Sequence, residues 1–183
     1  MEKLAVGPNF PKNILTLDMT PTERIHELAK EKNCKPCDIN ICVLERPRNL
    51  SLIEEVRKTG AKINLISDGD IAGIINCLRN DETGIDSYMG SGGAQEGILS
   101  AVATKCLGGQ MQGRILTESS SERQVLIEEY NLDPKRIIDM NEMVRGPVIF
   151  AASGVTDSAL MKGVRSTSRF TQVETVLLRS KTM

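Results

Sequence analysis

Neither sign of charge dominates this sequence. Its 23 lysines and arginines stand against 24 aspartates and glutamates, a formal net charge of −1, and no block of like charge forms a tail. Such a balance gives no support for attraction to nucleic acid or to an anionic membrane surface, so neither is expected as a partner. Long apolar runs are missing as well. None approaches the roughly 20 residues of a membrane span, and the opening residues Met1 to Pro8 lack the pattern of a signal peptide. A cytoplasmic protein is the expectation. Histidine is nearly absent, with His26 alone, and the cysteines number five, an odd count that implies no disulfide framework. Cys34-Lys35-Pro36-Cys37 has the spacing of a redox pair or of half a zinc site. No second C-x-x-C follows and His26 stands alone on a polar helix face, so neither role is expected. Cys34, Cys42, Cys77 and Cys106 lie in or beside helices and strands, where free cysteine acts as a small hydrophobe.

What remains is enough for one compact body. The chain has 183 residues, 40% of them hydrophobic, with no internal repeat, low-complexity segment or linker to mark a domain boundary, so 1–183 is read as one unit. Strand and helix signals alternate. A strand over 2–7 precedes a helix that runs to about residue 33, with Thr20 as N-cap and Pro21 at its first position. A strand at Ile39–Leu44, a helix at Leu50–Thr59 stopped by Gly60, and a strand at Lys62–Ile66 follow. A helix from Asp70 to about Leu78 leads to a short strand and a glycine-rich turn, and then to an apolar helix through Leu107. The polar segment 117–125 leads to another helix. Strands near Val148–Ala151 and Val173–Leu178 close the chain. This order predicts an α/β fold, a layered sheet with helices on both faces.

In such a sheet ligands collect beyond the carboxyl ends of the strands. Three segments there have suitable chemistry. Arg46-Pro47-Arg48 follows the strand ending at Leu44, and two guanidinium groups flanking a stiff proline suit a phosphate; alternatively they are surface arginines. Ser67-Asp68-Gly69-Asp70 follows the strand ending at Ile66. Its carboxylates suit sugar hydroxyls or a hard cation, or Asp70 caps the next helix. The turn through Gly90, Gly92 and Gly93 opens a helix whose first-turn N–H groups and Glu96 face whatever lies above, unless the glycines serve only the bend. Basic, acidic and glycine-rich loops on one rim together suggest a phosphorylated polyol bound with a divalent metal.

The segments Met1-Glu2-Lys3-Leu4, Arg46-Pro47-Arg48, Asp68-Gly69-Asp70, Gly92-Gly93-Ala94-Gln95-Glu96-Gly97 and Leu107-Gly108-Gly109-Gln110-Met111-Gln112-Gly113-Arg114 resemble the class II, GlpX-type fructose-1,6-bisphosphatases. The resemblance covers essentially the whole chain, in the family's order. It implies the C-terminal half of an inositol-phosphatase-like fold and a metal-dependent phosphatase of gluconeogenesis. The implied substrate is fructose 1,6-bisphosphate, cleaved at the 1-phosphate, and in photosynthetic relatives also sedoheptulose 1,7-bisphosphate. It further implies substrate contacts at Arg46, Pro47, Arg48, Asp68, Gly69, Asp70 and Gly93, with Glu96 as a ligand of Mn2+ or Mg2+. Arg46 stands where the family has lysine, and Gln95 where it has proline. The family enzymes are nearly twice this long, and their Glu-rich loop and Asp-Pro-x-Glu-Gly-Thr segment are not found here. The metal ligands they carry are expected in an N-terminal half that this chain lacks, so the chain alone is expected to be a weak phosphatase. A homo-oligomer, or association with a separate N-terminal half, is the expected assembly. The competing reading is a non-catalytic sugar-phosphate-binding fragment or partner.

Overall fold

The computed structural model describes residues 1–117, 119–158 and 160–180. Its centre is a six-stranded mixed sheet of β1 (Glu2–Val6), β2 (Asn40–Leu44), β3 (Lys62–Ile66), β4 (Ser87–Ser91), β5 (Gln110–Arg114) and β6 (Ile138–Asp139), in the order β3-β2-β4-β1-β5-β6. β3, β2 and β4 are parallel, while β1 runs antiparallel between β4 and β5, with Glu2 opposite both Ser91 and Arg114. The amino end of β1 therefore lies beside the carboxyl ends of its neighbours.

Helices cover both faces, as the alternating pattern predicts. α1 (Pro21–Glu31) starts at Thr20, whose hydroxyl accepts from the Glu23 N–H while the Glu23 carboxylate accepts from the Thr20 N–H. It buries Ile25, Leu28 and Ala29 at helical spacing, and α2 (Leu50–Lys58) adds Ile53 and Val56. These side chains pack on Leu4, Val6, Ile41, Val43 and Met89 of the sheet. Each fully buried Ile or Leu contributes roughly 1.5–3 kcal/mol, which makes this face the larger anchor. The opposite face receives α3 (Asp70–Leu78) and α5 (Ala94–Leu107), with α4 (Asn80–Thr83) between α3 and β4. Ile74, Cys77, Leu78 and Ala101 pack there on Ala5, Cys42, Tyr88 and Met111.

The terminal strands depart from a single layered sheet. β7 (Ile149–Ser153) and β10 (Thr175–Arg179) pair with each other, antiparallel, as a separate two-stranded ribbon. Phe150 and Leu178 of the ribbon pack toward Ile75 and Ala103 of α3 and α5, while Ile149 and Leu177 face outward. The sheet's α5-side layer is thus itself covered by β structure. A smaller hairpin, β8 (Arg165–Ser166) with β9 (Thr171–Gln172), lies between the two ribbon strands in sequence. α6 (Ser120–Glu128) begins inside the polar segment, capped by Ser119, and α7 (Met140–Met143) follows β6. No helix among the described residues is long and apolar enough to cross a membrane.

At the end of the sheet opposite the three candidate loops, Asp86 is completely buried. Its carboxylate accepts from the Lys32 ammonium at 2.6 Å, the Asn40 backbone N–H at 2.9 Å and the Asn80 amide at 3.0 Å. This one side chain ties α1, β2 and α4 to the start of β4.

Candidate functional site

The connections leaving β2 and β4 go to opposite faces, α2 on one and α5 on the other. Such divergence opens a crevice at the carboxyl end of an open sheet. Pro47 begins a single 3-10 turn, Pro47–Asn49, that swings Arg46 and Arg48 to the rim. Arg48 Nε donates to the Ser91 carbonyl at 2.9 Å, and its side chain is exposed beyond that anchor. Asn49 is buried and fixes the same join: its amide donates to the Leu44 carbonyl at 2.9 Å, and its oxygen accepts from the Ser91 N–H at 2.9 Å. The Arg46 guanidinium stands 3.7 Å from the Asp68 carboxylate, bridging the loops after β2 and β3. The arginines are thus oriented by their neighbours rather than loose on the surface.

The two aspartates have different environments. Asp68 is exposed, and one of its oxygens accepts from the Gly69 N–H at 2.9 Å. Gly69, at φ +86°, is the left-handed residue that precedes α3, so glycine rather than Asp70 occupies the cap position. Asp70 is the first helical residue, 6% exposed, and pairs with the fully buried ammonium of Lys3. The alternative that Asp70 caps α3 is therefore not what the backbone shows. Beneath the pair, the Tyr88 phenol is buried without a well-formed hydrogen bond. Burial first and the Asp70 carboxylate next push its pKa up, which keeps it neutral.

The glycine-rich turn closes the rim. Gly92 pairs with Met1 through the ladder bonds Gly92 N to Met1 O, 3.0 Å, and Met1 N to Gly92 O, 2.8 Å. A Cβ on Gly92 would overlap the Asp70 carboxylate, and one on Gly93 would overlap the Glu96 carboxylate, which curls back over the turn. Close approach requires the glycine at 92, where the buried Asp70 is held by Lys3, whereas at 93 the exposed Glu96 side chain has room to swing aside. Gly93 immediately precedes α5, so the free N–H groups of the helix start open onto the same rim as Arg48.

Two groups, Lys3 and Glu2, have no role that spacing alone assigns. Lys3 lies under the turn. Glu2 sits between Arg24 at 3.8 Å and Arg114 at 3.6 Å, and Arg114 also pairs with Asp18. A cavity of about 260 Å³ runs from Arg48 and Asn49 past Glu2 to Arg24 and Glu55. A lysine and a glutamate at the start of an apolar strand were the available signal, but only the antiparallel placement of β1 brings them to the rim.

The donor set does not by itself fit a divalent metal ion. Among the described residues no three His, Cys, Asp or Glu side chains converge as a metal cluster. Asp70 is engaged by Lys3 and Asp68 faces Arg46, which leaves the exposed Glu96, whereas hard cations take six or more oxygens. The Cys34 and Cys37 thiols are free, one half-buried and the other exposed.

The comparisons with known proteins give the family. The model of the family described as bacterial fructose-1,6-bisphosphatase, glpX-encoded, matches residues 1–183. A D-fructose 1,6-bisphosphatase class 2/sedoheptulose 1,7-bisphosphatase of Synechococcus sp. strain JA-3-3Ab is 34% identical over 99% of this chain and 55% of its own length. The protein of the same name from Synechococcus elongatus is 36% identical over 90% of this chain and 51% of its own. The chain spans about half the length of the curated relatives it matches. With residues 1–183 all inside the family model, the chain belongs to the glpX-encoded bacterial fructose-1,6-bisphosphatase family.

Proposed function

We propose that this chain forms the sugar-phosphate-binding part of a fructose-1,6-bisphosphatase that hydrolyses the 1-phosphate of fructose 1,6-bisphosphate in gluconeogenesis. The observation that carries the reading is the physical linkage of the three rim loops: Arg46 to Asp68, Arg48 to Ser91, and Asp70 to the underside of Gly92. In this arrangement Arg46, Arg48 and the first N–H groups of α5 hold phosphate oxygens. The exposed Asp68 and the backbone at Gly69 accept and donate to sugar hydroxyls. Glu96 is the rim carboxylate left to serve a manganese or magnesium ion, and the further oxygen ligands that such an ion needs come from outside the described residues. The fold is then completed as an inositol-phosphatase-like body by association with those missing ligands, or in a homo-oligomer.

The test is titration of the 183-residue chain with fructose 1,6-bisphosphate, followed by amide chemical shifts, beside a phosphate-release assay with manganese. Saturable shifts at residues 46–48, 68–70 and 92–97 with negligible hydrolysis are expected. Absence of any shift removes the binding role, and efficient hydrolysis by the chain alone overturns the incomplete ligand set.

A further inference from the structure

Lys3 is the one charged side chain of the sheet's central strand that is wholly inside. Its ammonium is 0% exposed and pairs with Asp70. It stands 3.0 Å from where a Cβ of Gly92 would be, and its Cε lies 3.4 Å from where one of Gly97 would be. Lys3 therefore touches the glycine turn and the first turn of α5 from below, while its charge holds the first residue of α3. A buried cation beneath two helix starts is unfavourable unless it is paired, because both helix dipoles present positive ends there. Asp70 supplies that charge, and the absence of a side chain at Gly92 supplies the space, since a Cβ there would overlap the Asp70 carboxylate and crowd the Lys3 ammonium.

We infer that Lys3 is a positioning residue of the rim: through Asp70 and the underside of Gly92 and Gly97 it fixes the glycine turn, and with it Gly93 and Glu96, relative to the loop at 68–70. The inference rests on the sugar-phosphate reading of the rim and adds a residue to it. Lys3 has no access to a ligand, so it acts only through the groups it holds. Asp70, held from below, belongs to the floor of the site and sets the distance between the two loops above it.

The experiment compares the wild-type chain with Lys3→Met, Asp70→Asn and the double variant, which leaves no unpaired buried charge should Lys3→Met fail to fold. Two quantities are read: amide hydrogen exchange of residues 92–97 without ligand, and binding of fructose 1,6-bisphosphate and of inorganic phosphate. Lys3→Met and the double variant are expected to speed exchange at 92–97 at least tenfold relative to the helix α1 amides. Binding is expected to weaken at least tenfold, while the double variant keeps the wild-type melting profile. Wild-type exchange at 92–97 in the double variant overturns the inference, as does a folded Lys3→Met that binds like wild type while Asp70→Asn does not, the signature of direct contact by Asp70. A wild-type chain that binds neither probe removes the functional reading, and the exchange comparison still decides what Lys3 holds.

Discussion

Replacing Asp86 tests how the end of the sheet opposite the rim is held. Asp86→Ala removes three hydrogen bonds to one buried carboxylate, from Lys32, Asn40 and Asn80. Bonds to a charged group contribute about 1.5–3 kcal/mol each. The Lys32 side chain is 38% exposed and regains water, so its share is discounted. Asn80 keeps its bond to the Ile85 carbonyl at 2.8 Å, which also limits the loss. The Asn40 N–H, at the first position of β2, is left without its acceptor. Together these give a cost of about 3–5 kcal/mol, the range for breaking a buried ion pair. Asp86→Asn keeps one acceptor oxygen for Asn40 and is expected to cost about 2 kcal/mol. Lys32→Ala leaves Asp86 with two N–H donors and should cost less than Asp86→Ala. Urea unfolding at pH 7, followed by circular dichroism, measures all three variants with a common slope. Because a domain's whole stability is about 5–15 kcal/mol, Asp86→Ala should move the midpoint far. A loss under about 1 kcal/mol, or a ranking that puts Lys32→Ala first, refutes the reasoning.

Arg48→Ala should weaken fructose 1,6-bisphosphate binding about tenfold or more, the scale of one charge-assisted hydrogen bond, as measured by titration calorimetry. Thiol labelling under native conditions should find Cys37 quickly and leave Cys42 and Cys77 unmodified: burial pushes the Cys42 thiol up to about 12, so roughly one part in ten thousand is thiolate at pH 8, and it pushes the fully buried Cys77 up as well. Thr20→Ala should cost about 1 kcal/mol at pH 7 by urea unfolding, as N-cap losses do. The Thr20 backbone N–H first and its hydroxyl next hold the Glu23 carboxyl below its usual range; alanine keeps the N–H, so only the hydroxyl's share is lost, and that share is present above the unfolded carboxyl's pKa and fades as pH falls through the folded one. Wild type and Thr20→Ala should therefore differ less at pH 3 than at pH 7. Sedimentation velocity should show concentration-dependent self-association, driven by exposed Ile149, Phe170 and Leu177; a single monomer species at all concentrations contradicts it.

Local signals read well wherever one residue type has one job. Thr20 and Pro21 marked the start of α1, Gly60 followed the end of α2, and the apolar stretch after Gly93 became α5. Long-range pairing was not written locally. β1 reads as an edge strand or a centre strand equally, and only its partners Ser91 and Arg114 place it antiparallel in the middle. Gln110-Met111-Gln112-Gly113-Arg114 hides a strand because it has no β-branched or aromatic residue and contains a glycine, and glycine suits position 113 because the Met1 and Met143 side chains occupy the space a Cβ would take. Val148–Ala151 and Val173–Leu178 were recognisable as strands, but nothing in their composition told a separate ribbon from the main sheet. For the rim, Arg46, Arg48, Asp68 and Gly93 were visible as chemistry after strand ends. The burial of Asp70 was not, since its partner lies 67 residues away in sequence.

The central position of β1 has a consequence for how the chain folds. Glu2 pairs with Ser91 and Arg114, so β1 waits for the chain to grow by about ninety and then a further twenty residues before both its neighbours exist. Contacts of such separation are slow to form, because loop closure precedes any gain from them. Until then Leu4, Ala5 and Val6 lack these two neighbours, whereas β2 and β3 pair across the single helix α2, so that local unit is expected to form before β1 is seated. The rim, whose floor is Lys3, is consequently among the last features to form, and a substitution that slows the arrival of β5 should trap chains with an ordered N-terminal layer and no ligand site.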